Sequence, residues 1–320
     1  MHFTHRQFVV AALLVLSLGC RKGAESKATA DVPAPQYAPL SHFPPLGEAK
    51  RIAPGVLLHQ VSLAHGEFPG RIWIYLPEKR TADPLGCVFI APAGVPPFLG
   101  NGFGPDVDRQ YNPEHIPYVE AGFAVVAYDV DGDLGTRDDA TYEQVQAAAA
   151  AFKNSGGGML NARHAIDYVT KMVPGIDPAR LYSAGHSSAG RLSLLLAESD
   201  PRIAACIAYA PVTNPEKRAG EIAPDAVQYL DANLPGFRRF LQETSPLQQS
   251  AMLRCPTFLY HSEDDERIPI SDSEAFVETL KKTNPNVTFV RGKRGDHYSS
   301  MIDEGVPRGI RWLKGLRAKS

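Results

Sequence analysis

Long apolar runs are rare in this 320-residue chain. The clearest, Phe8–Leu18, has eleven residues, whereas a helix that crosses a bilayer needs about 20. We therefore expect no permanent transmembrane helix. An excess of one charge is also missing, because 33 basic residues nearly balance 35 acidic ones and leave a formal charge of -2. Such a balance predicts no nucleic acid or other polyanionic partner.

Cysteine is scarce as well, with four residues, and no two of them have the CxxC spacing of a metal site. The HExxH motif of zinc proteases is missing, so we expect neither a metal nor a cofactor. Cys87, Cys206 and Cys255 fall in or beside apolar runs, which favours buried free thiols. A disulfide between two of them is the alternative, and it would need Cα atoms within about 7 Å.

Residues 1–20 have the features of a signal peptide, because Arg6 precedes the apolar run and Gly19-Cys20 follow it. The Gly-Cys ending resembles the lipobox of bacterial lipoproteins. That resemblance implies that Cys20 is acylated and anchors the protein to a membrane of the cell envelope. Ordinary cleavage after Ala30 is the alternative, and it would give a periplasmic or secreted protein. Export is expected in both cases.

Residues 21–48 are rich in Ala, Pro, Ser and Lys without a hydrophobic period, which predicts a flexible tether. Within residues 49–320, short apolar runs alternate with segments of helical period. This alternation predicts an α/β domain with a mostly parallel eight-stranded sheet and helices on both faces. The predicted strands are Val56–Val61, Arg71–Leu76, Cys87–Ala91, Phe123–Tyr128, Leu181–Ala184, Ile203–Tyr209, Thr257–His261 and Val287–Val290.

Two features predict helices between these strands. Thr141 and Gln144 fit a capping box, and a second helix shows apolar residues at helical spacing, namely Ala162, Ile166, Val169 and Val173. The connection from Val212 to Leu253 is too long for a plain crossover and carries helical, partly aromatic sequence. A further core helix and a lid over a binding site both fit that connection.

The strongest functional signal is Gly185-His186-Ser187-Ser188-Ala189-Gly190, between a predicted strand and a helical run. Strand, sharp turn and helix in this order resemble the nucleophile elbow of the α/β-hydrolases, where small residues let the helix pass close to the strand. That motif usually has glycine where this chain has Ala189, which is also small. Ser187 is the predicted nucleophile.

A serine hydroxyl needs a base to take its proton and an acid to orient that base. In α/β-hydrolases the acid and then the histidine follow the serine along the chain. His297 comes after the last predicted strand and is the predicted base. The acid lies among the four acidic residues 263–266, just after the strand Thr257–His261.

Several stretches resemble the catalytic domain of the prolyl oligopeptidase-like branch of the α/β-hydrolases, over about residues 55 to 315. They are Gly122–Asp129, Asp177–Arg180, Ser245-Pro246 ahead of Cys255-Pro256, and the acidic loop. In that branch the acid stands three positions before a hydrophobic-Pro pair, here Ile268-Pro269, which implies Asp265 rather than Asp264. Fewer than 60 residues precede the first predicted strand, so no β-propeller is expected. The branch without a propeller contains esterases as well as peptidases.

The oxyanion that develops during acyl transfer needs two backbone N–H donors. We assign one to Ser188, the residue after the nucleophile, and the other to Gly94 in the turn after Cys87–Ala91, with Val95 as the alternative. His186 and His261 stand beside the nucleophile and the acidic loop and are interpreted as packing residues.

Two weaker signals are interpreted as ordinary loops. Asp129, Asp131 and Asp133 suggest calcium ligands, but the glycine position and Ala140 do not fit an EF-hand. Gly100–Gly104 lacks the spacing of a nucleotide-binding loop.

The sequence thus predicts an exported serine hydrolase that cleaves a carboxylic ester or a peptide bond through an acyl-enzyme on Ser187. Its expected partner is a small ester or a short peptide. An envelope carboxylesterase rather than a peptidase is one alternative, and a binding protein without turnover on a hydrolase fold is another. The oligomeric state is not predicted.

Overall fold

The computed structural model describes residues 37–63, 70–80, 82–94, 112–132 and 140–317. The predicted signal peptide with Cys20, and also Val95, Gly100–Gly104 and Asp133, lie outside these ranges. Within them, no helix combines the length and the apolar character that crossing a membrane requires.

One nine-stranded sheet organises the described residues, in the order β1-β2-β3-β5-β4-β6-β7-β8-β9. Strands β4 to β9 run parallel to one another, and β1 to β3 form an antiparallel extension in which β3 pairs with β5. The strands are β1 (Lys50–Ala53), β2 (Val56–Ser62), β3 (Arg71–Pro77), β4 (Leu85–Ile90), β5 (Ala124–Tyr128), β6 (Ile176–His186), β7 (Ile203–Tyr209), β8 (Thr257–Ser262) and β9 (Val287–Gly292).

All eight predicted strands are present, and the α/β class is confirmed. The ninth, β1, was not predicted, because it is a short edge strand whose residues are half-buried or exposed and show no apolar run. Every residue of β4 and β5 is buried, as expected for strands covered on both faces.

Helices cover both faces of the sheet. They are α1 (Asn112–Glu120), α2 (Tyr142–Asn154), α3 (Met159–Met172), α4 (Ser187–Ser199), α5 (Pro215–Ile222), α6 (Pro224–Asn233), α7 (Phe237–Glu243), α8 (Pro246–Gln249), α9 (Ile270–Leu280) and α10 (Val306–Arg317). Helices α2 to α4 and α9 share a core with one face, whereas α1 and α10 pack on the other. The capping box of Thr141 and Gln144 is confirmed at the start of α2. The predicted apolar stripe of α3 is buried.

The long connection from Val212 to Leu253 contains α5 to α8 and a 3-10 turn, and we call it the helical insertion. Phe237, Phe240 and Leu241 of α7 are buried in the same core as α2 to α4. The Phe240 ring lies 5.7 Å from the Phe152 ring of α2. The aromatic residues of α7 therefore extend the core.

Candidate active site

The nucleophile elbow lies where β6 ends at His186 and α4 begins at Ser187. Ser187 has a φ of 58°, a left-handed conformation that is rare for a residue with a side chain. A Cβ atom on Gly185 would stand 2.2 Å from the carbonyl oxygen of Ala189, so glycine is required there. This sharp turn places Ser187 at the carboxyl end of the central parallel strands, as the elbow motif predicts.

Asp265 and His297 meet at the same edge of the sheet, from the loops that follow β8 and β9. His297 Nδ1 lies 2.6 Å from Asp265 Oδ2, a hydrogen bond in which the imidazole donates to the carboxylate. Asp296 shapes the turn, because its Oδ1 accepts hydrogen bonds from the backbone N–H groups of Tyr298 and Ser299. Asp265, and not the exposed Asp264, is therefore the acid that contacts the predicted base.

The Asp265 carboxylate is almost completely buried, with 1% of its side chain exposed. Its Oδ1 accepts the backbone N–H groups of Arg267 and Ile268, both at 2.9 Å. Its Oδ2 lies 2.6 Å from His297 Nδ1 and 3.1 Å from His261 Nε2. Burial by itself would raise the pKa of Asp265, but the hydrogen bonds from the two histidines outweigh it and hold the pKa well below its usual range. The acid is thus ionised and can stabilise a protonated His297.

His186, interpreted from the sequence as a packing residue, contacts the predicted base directly. Its Nε2 lies 2.8 Å from the backbone oxygen of His297, and the two rings are 4.4 Å apart. Because a carbonyl can only accept, Nε2 of His186 carries a proton. Burial, followed by the nearby charge of His297, lowers the pKa of His186 to about 3, so this ring stays neutral. His186 therefore bridges the elbow and the histidine loop without acting as a base.

The hydrogen bonds among the described residues do not include one between Ser187 Oγ and His297 Nε2. The two residues are nevertheless brought to one place, since His186 precedes Ser187 in the chain and packs on His297. Catalytic hydrogen bonds of this kind are often long in the absence of substrate.

Gly94 and Ser188, the two predicted oxyanion donors, are also adjacent. The backbone N–H of Gly94 donates to Ser188 Oγ at 2.7 Å. An oxyanion would have to replace this hydroxyl to use the Gly94 N–H, and the alternative donor, Val95, lies outside the described residues.

Glu114 of α1 is a buried acid beside the site that was not predicted from the sequence. Its carboxyl interacts with the side chain of Tyr298, whose ring lies 5.9 Å from that of His186. Burial raises the pKa of Glu114 to about 7, although the hydrogen bond from Tyr298 opposes the shift. No local sequence pattern predicts that Glu114 lies at the site, because Glu114 reaches the loop of His297 and Tyr298 only through the packing of α1.

The other candidate ligands have structural partners. Asp129 pairs with Arg71 at 2.6 Å, and Asp131 accepts a hydrogen bond from Asn161 at 3.1 Å. Throughout the described ranges, no group of three or more His, Cys, Asp or Glu residues could hold a metal ion. The cysteines of the described part of the chain are free, with Cys87 and Cys206 buried and Cys255 partly buried.

Known proteins that resemble this chain include peptidases and an esterase. The model of the prolyl oligopeptidase family matches residues 110–313. The uncharacterized peptidase YuxL of Bacillus subtilis (strain 168) is 27% identical over 190 residues, which are 58% of this chain. The chain spans only 28% of that curated relative.

Two solved structures with a similar fold are a peptidase and an esterase. An acylaminoacyl peptidase from Pyrococcus horikoshii superposes with a TM-score of 0.62 and 16% identity, over 82% of this chain and 41% of its own. Acetyl xylan esterase 1 from Thermoanaerobacterium sp. JW/SL YS485 superposes with a TM-score of 0.60 and 16% identity, over 84% of this chain and 87% of its own. Both likenesses establish the α/β-hydrolase fold. The family model matches more than half of the chain, in a range that includes Ser187, Asp265 and His297, so the chain belongs to the prolyl oligopeptidase family.

Proposed function

We propose that this serine hydrolase cleaves small carboxylic esters through an acyl-enzyme on Ser187. The observation that carries the proposal is the 2.6 Å hydrogen bond from His297 to the buried carboxylate of Asp265, formed at the edge of the sheet where the elbow presents Ser187. A histidine held in this way donates its Nδ1–H to the acid, and its Nε2 is free to accept a proton from the serine.

The reaction has two steps. Ser187 Oγ attacks the ester carbonyl while its proton passes to His297 Nε2, and the negative charge of the tetrahedral intermediate is held by backbone N–H groups. His297 returns the proton to the leaving alcohol as the C–O bond breaks, which leaves Ser187 acylated. Water then attacks the acyl group, giving its proton to His297, and the carboxylic acid departs as Ser187 is regenerated. The ionised Asp265 stabilises the imidazolium in both steps.

The α/β-hydrolase fold is shared with an acetyl xylan esterase as well as with an acylaminoacyl peptidase, so an ester substrate is compatible with it. An alcohol is also a better leaving group than an amine, so ester cleavage requires less of the general acid. Peptide cleavage is the competing outcome of the experiment below.

The test compares kcat/KM on short p-nitrophenyl esters and on acyl-peptidyl p-nitroanilides. We expect ester turnover that falls by about 10³-fold or more in Ser187→Ala, because removing a nucleophile leaves only binding and oxyanion stabilisation. Ser199→Ala changes an exposed serine at the far end of the same helix and should retain the wild-type rate. Efficient anilide cleavage that depends on Ser187 would make the protein a peptidase, and turnover of neither substrate class would overturn the proposal.

We also propose that the chain is exported and acylated on Cys20. The support is the apolar run Phe8–Leu18 followed by Gly19-Cys20. Labelled palmitate should enter the wild-type protein in cells, and the protein should sediment with membranes. Cys20→Ala should abolish both, whereas Cys255→Ala should change neither. Palmitate incorporation that persists in Cys20→Ala would refute acylation at this residue.

A further inference from the structure

A second histidine shares the carboxylate of the predicted catalytic acid. His261 is the penultimate residue of β8 and is completely buried. Its Nε2 lies 3.1 Å from Asp265 Oδ2, the same oxygen that His297 approaches at 2.6 Å. Asp265 thus stands between two imidazoles that come from different elements.

The partners of His261 define its protonation. Nε2 lies 2.9 Å from the backbone oxygen of Ile268, which can only accept, so Nε2 carries a proton. That proton faces both Ile268 O and Asp265 Oδ2. Nδ1 lies 2.8 Å from Ser273 Oγ of α9, which donates to it when the ring is neutral. Ser273 is itself completely buried, so its hydroxyl holds the Nε2–H tautomer in place.

With His261, the Asp265 carboxylate receives four donors. Two backbone N–H groups bind Oδ1, and two imidazole N–H groups bind Oδ2. A carboxylate has about four lone-pair directions, so little freedom remains for it to rotate. Because Oδ2 is shared, part of its negative charge is compensated before His297 takes a proton.

We propose that His261 is a positioning residue for the reaction, which acts on His297 through Asp265 by donating its Nε2–H to Oδ2. It orients the carboxylate toward His297 Nδ1 and limits how strongly Oδ2 stabilises the imidazolium. This role rests on the proposed function, since it assumes that Ser187, His297 and Asp265 act together. The titratable groups around His261 and Asp265 are His297, His186 and Glu266. Glu266 Oε2 accepts the backbone N–H of His297 at 3.3 Å.

The test measures the rate at which a fluorophosphonate labels Ser187, as a function of pH, because this reaction needs no knowledge of the substrate. In His261→Leu we expect a labelling rate about 10-fold or more below wild type, the usual effect of losing a hydrogen bond to a charged group. We also expect the acid limb of the pH profile to move to higher pH. Without the His261 donor, Oδ2 is more negative and His297 binds its proton more tightly.

His261→Gln is the conservative variant, because its amide N–H can reach the position of Nε2, and it should recover most of the rate and the wild-type acid limb. Ser273→Ala removes only the hydroxyl that holds the tautomer, and it should slow labelling about 3-fold. His164→Leu is the matched control, a buried histidine of α3 whose Nε2 contacts the backbone oxygen of Ala38, and it should leave the acid limb unchanged.

Circular dichroism identifies variants that do not fold. If His261→Leu does not fold, His261→Gln and Ser273→Ala test the role of His261 instead. A wild-type acid limb and rate in folded His261→Leu, or in Ser273→Ala when the Leu variant does not fold, would overturn the inference. Equal losses in His261→Leu and His261→Gln would overturn it too, since ring packing rather than the N–H would then matter. A wild-type protein whose Ser187 is never labelled would instead refute the proposed function.

Discussion

Glu198 occupies the last turn of α4, where 8% of its surface is exposed. Neither of its carboxyl oxygens has a hydrogen-bond partner among the described residues. Burial raises the pKa of Glu198 to about 9, so the carboxyl is protonated in the folded protein near neutral pH. Near neutral pH the folded protein therefore binds a proton at Glu198 that the unfolded chain does not bind, and this difference makes stability depend on pH.

We expect Glu198→Gln to stabilise the protein more at high pH than at low pH. The folded pKa is raised above the ordinary 4.5, so the contribution of Glu198 to stability is greatest below pH 4.5 and is lost as the pH rises toward about 9. The variant lacks this loss, and its gain at pH 8.5 should be roughly 1–3 kcal/mol larger than at pH 5. Urea unfolding of both proteins at pH 5, 7 and 8.5 measures this difference in the free energy of unfolding.

Glu278→Gln, at an exposed position of α9, serves as the control and should show no such trend. A stability difference between Glu198→Gln and wild type that is the same at all three pH values would show that Glu198 is not linked to folding.

Helix α7 of the helical insertion is attached to the nucleophile helix by a buried arginine. Arg191 of α4 donates from Nε to the backbone oxygen of Thr244 at 3.0 Å and from Nη2 to Thr244 Oγ1 at 2.5 Å. Thr244 follows the last residue of α7, where a positive charge also compensates the helix dipole. One side chain thus connects the elbow helix with the insertion.

Thr244→Val should destabilise the protein by about 1–3 kcal/mol, because it leaves the buried guanidinium short of an acceptor while keeping the side-chain volume. Amide hydrogen exchange in residues 237–243 should become faster. The free energy of unfolding and the exchange rates together test whether this contact holds the insertion.

The control is Thr279→Val at a half-buried position of α9, because the Thr279 hydroxyl donates to the carbonyl four residues earlier, as the Thr244 hydroxyl donates to Phe240 O. Its effect should stay within about 0.5 kcal/mol. Equal effects of the two variants would assign the loss to the threonine hydroxyl and not to Arg191.

At the scale of the whole molecule, the chain from Tyr37 to Pro44 lies along α3, although these residues belong to the segment predicted to be a flexible tether. Asp167 organises the contact. Its Oδ2 accepts hydrogen bonds from the hydroxyl of Tyr37 and from the backbone N–H of Leu40, and its Oδ1 receives Arg202 at 2.6 Å. Leu40, Phe43 and Leu46 also pack against the core, but they are too few to give the segment a clear helical or strand period.

Asp167→Ala should release this segment, because three donors lose one acceptor group. We expect a loss of about 1–3 kcal/mol in the free energy of unfolding. Limited proteolysis should also cut the chain faster between residues 37 and 48 than in the wild-type protein.

Asp225→Ala, which removes an exposed carboxylate of α6, is the control and should leave both measurements unchanged. Wild-type cleavage rates in Asp167→Ala would show that other contacts hold the segment.

Local patterns in the sequence determined the strands, the capping box of α2 and the elbow, because each depends on residues close together in the chain. Gly185 and Ala189 mark the turn by their size alone, and buried parallel strands require continuous apolar runs. The choice of Asp265 over Asp264 came from spacing in a resembling family, and the structure places Asp265 against His297.

Tertiary structure alone decided which groups meet around that pair. His261 and Ser273 lie 12 residues apart, and His186 and His297 lie 111 apart, yet each pair is in contact. Glu114 reaches Tyr298 only because α1 packs beside the histidine loop. No hydrophobic period encodes such contacts, since they depend on the order of strands in the sheet, which gathers the loops of distant segments at one edge.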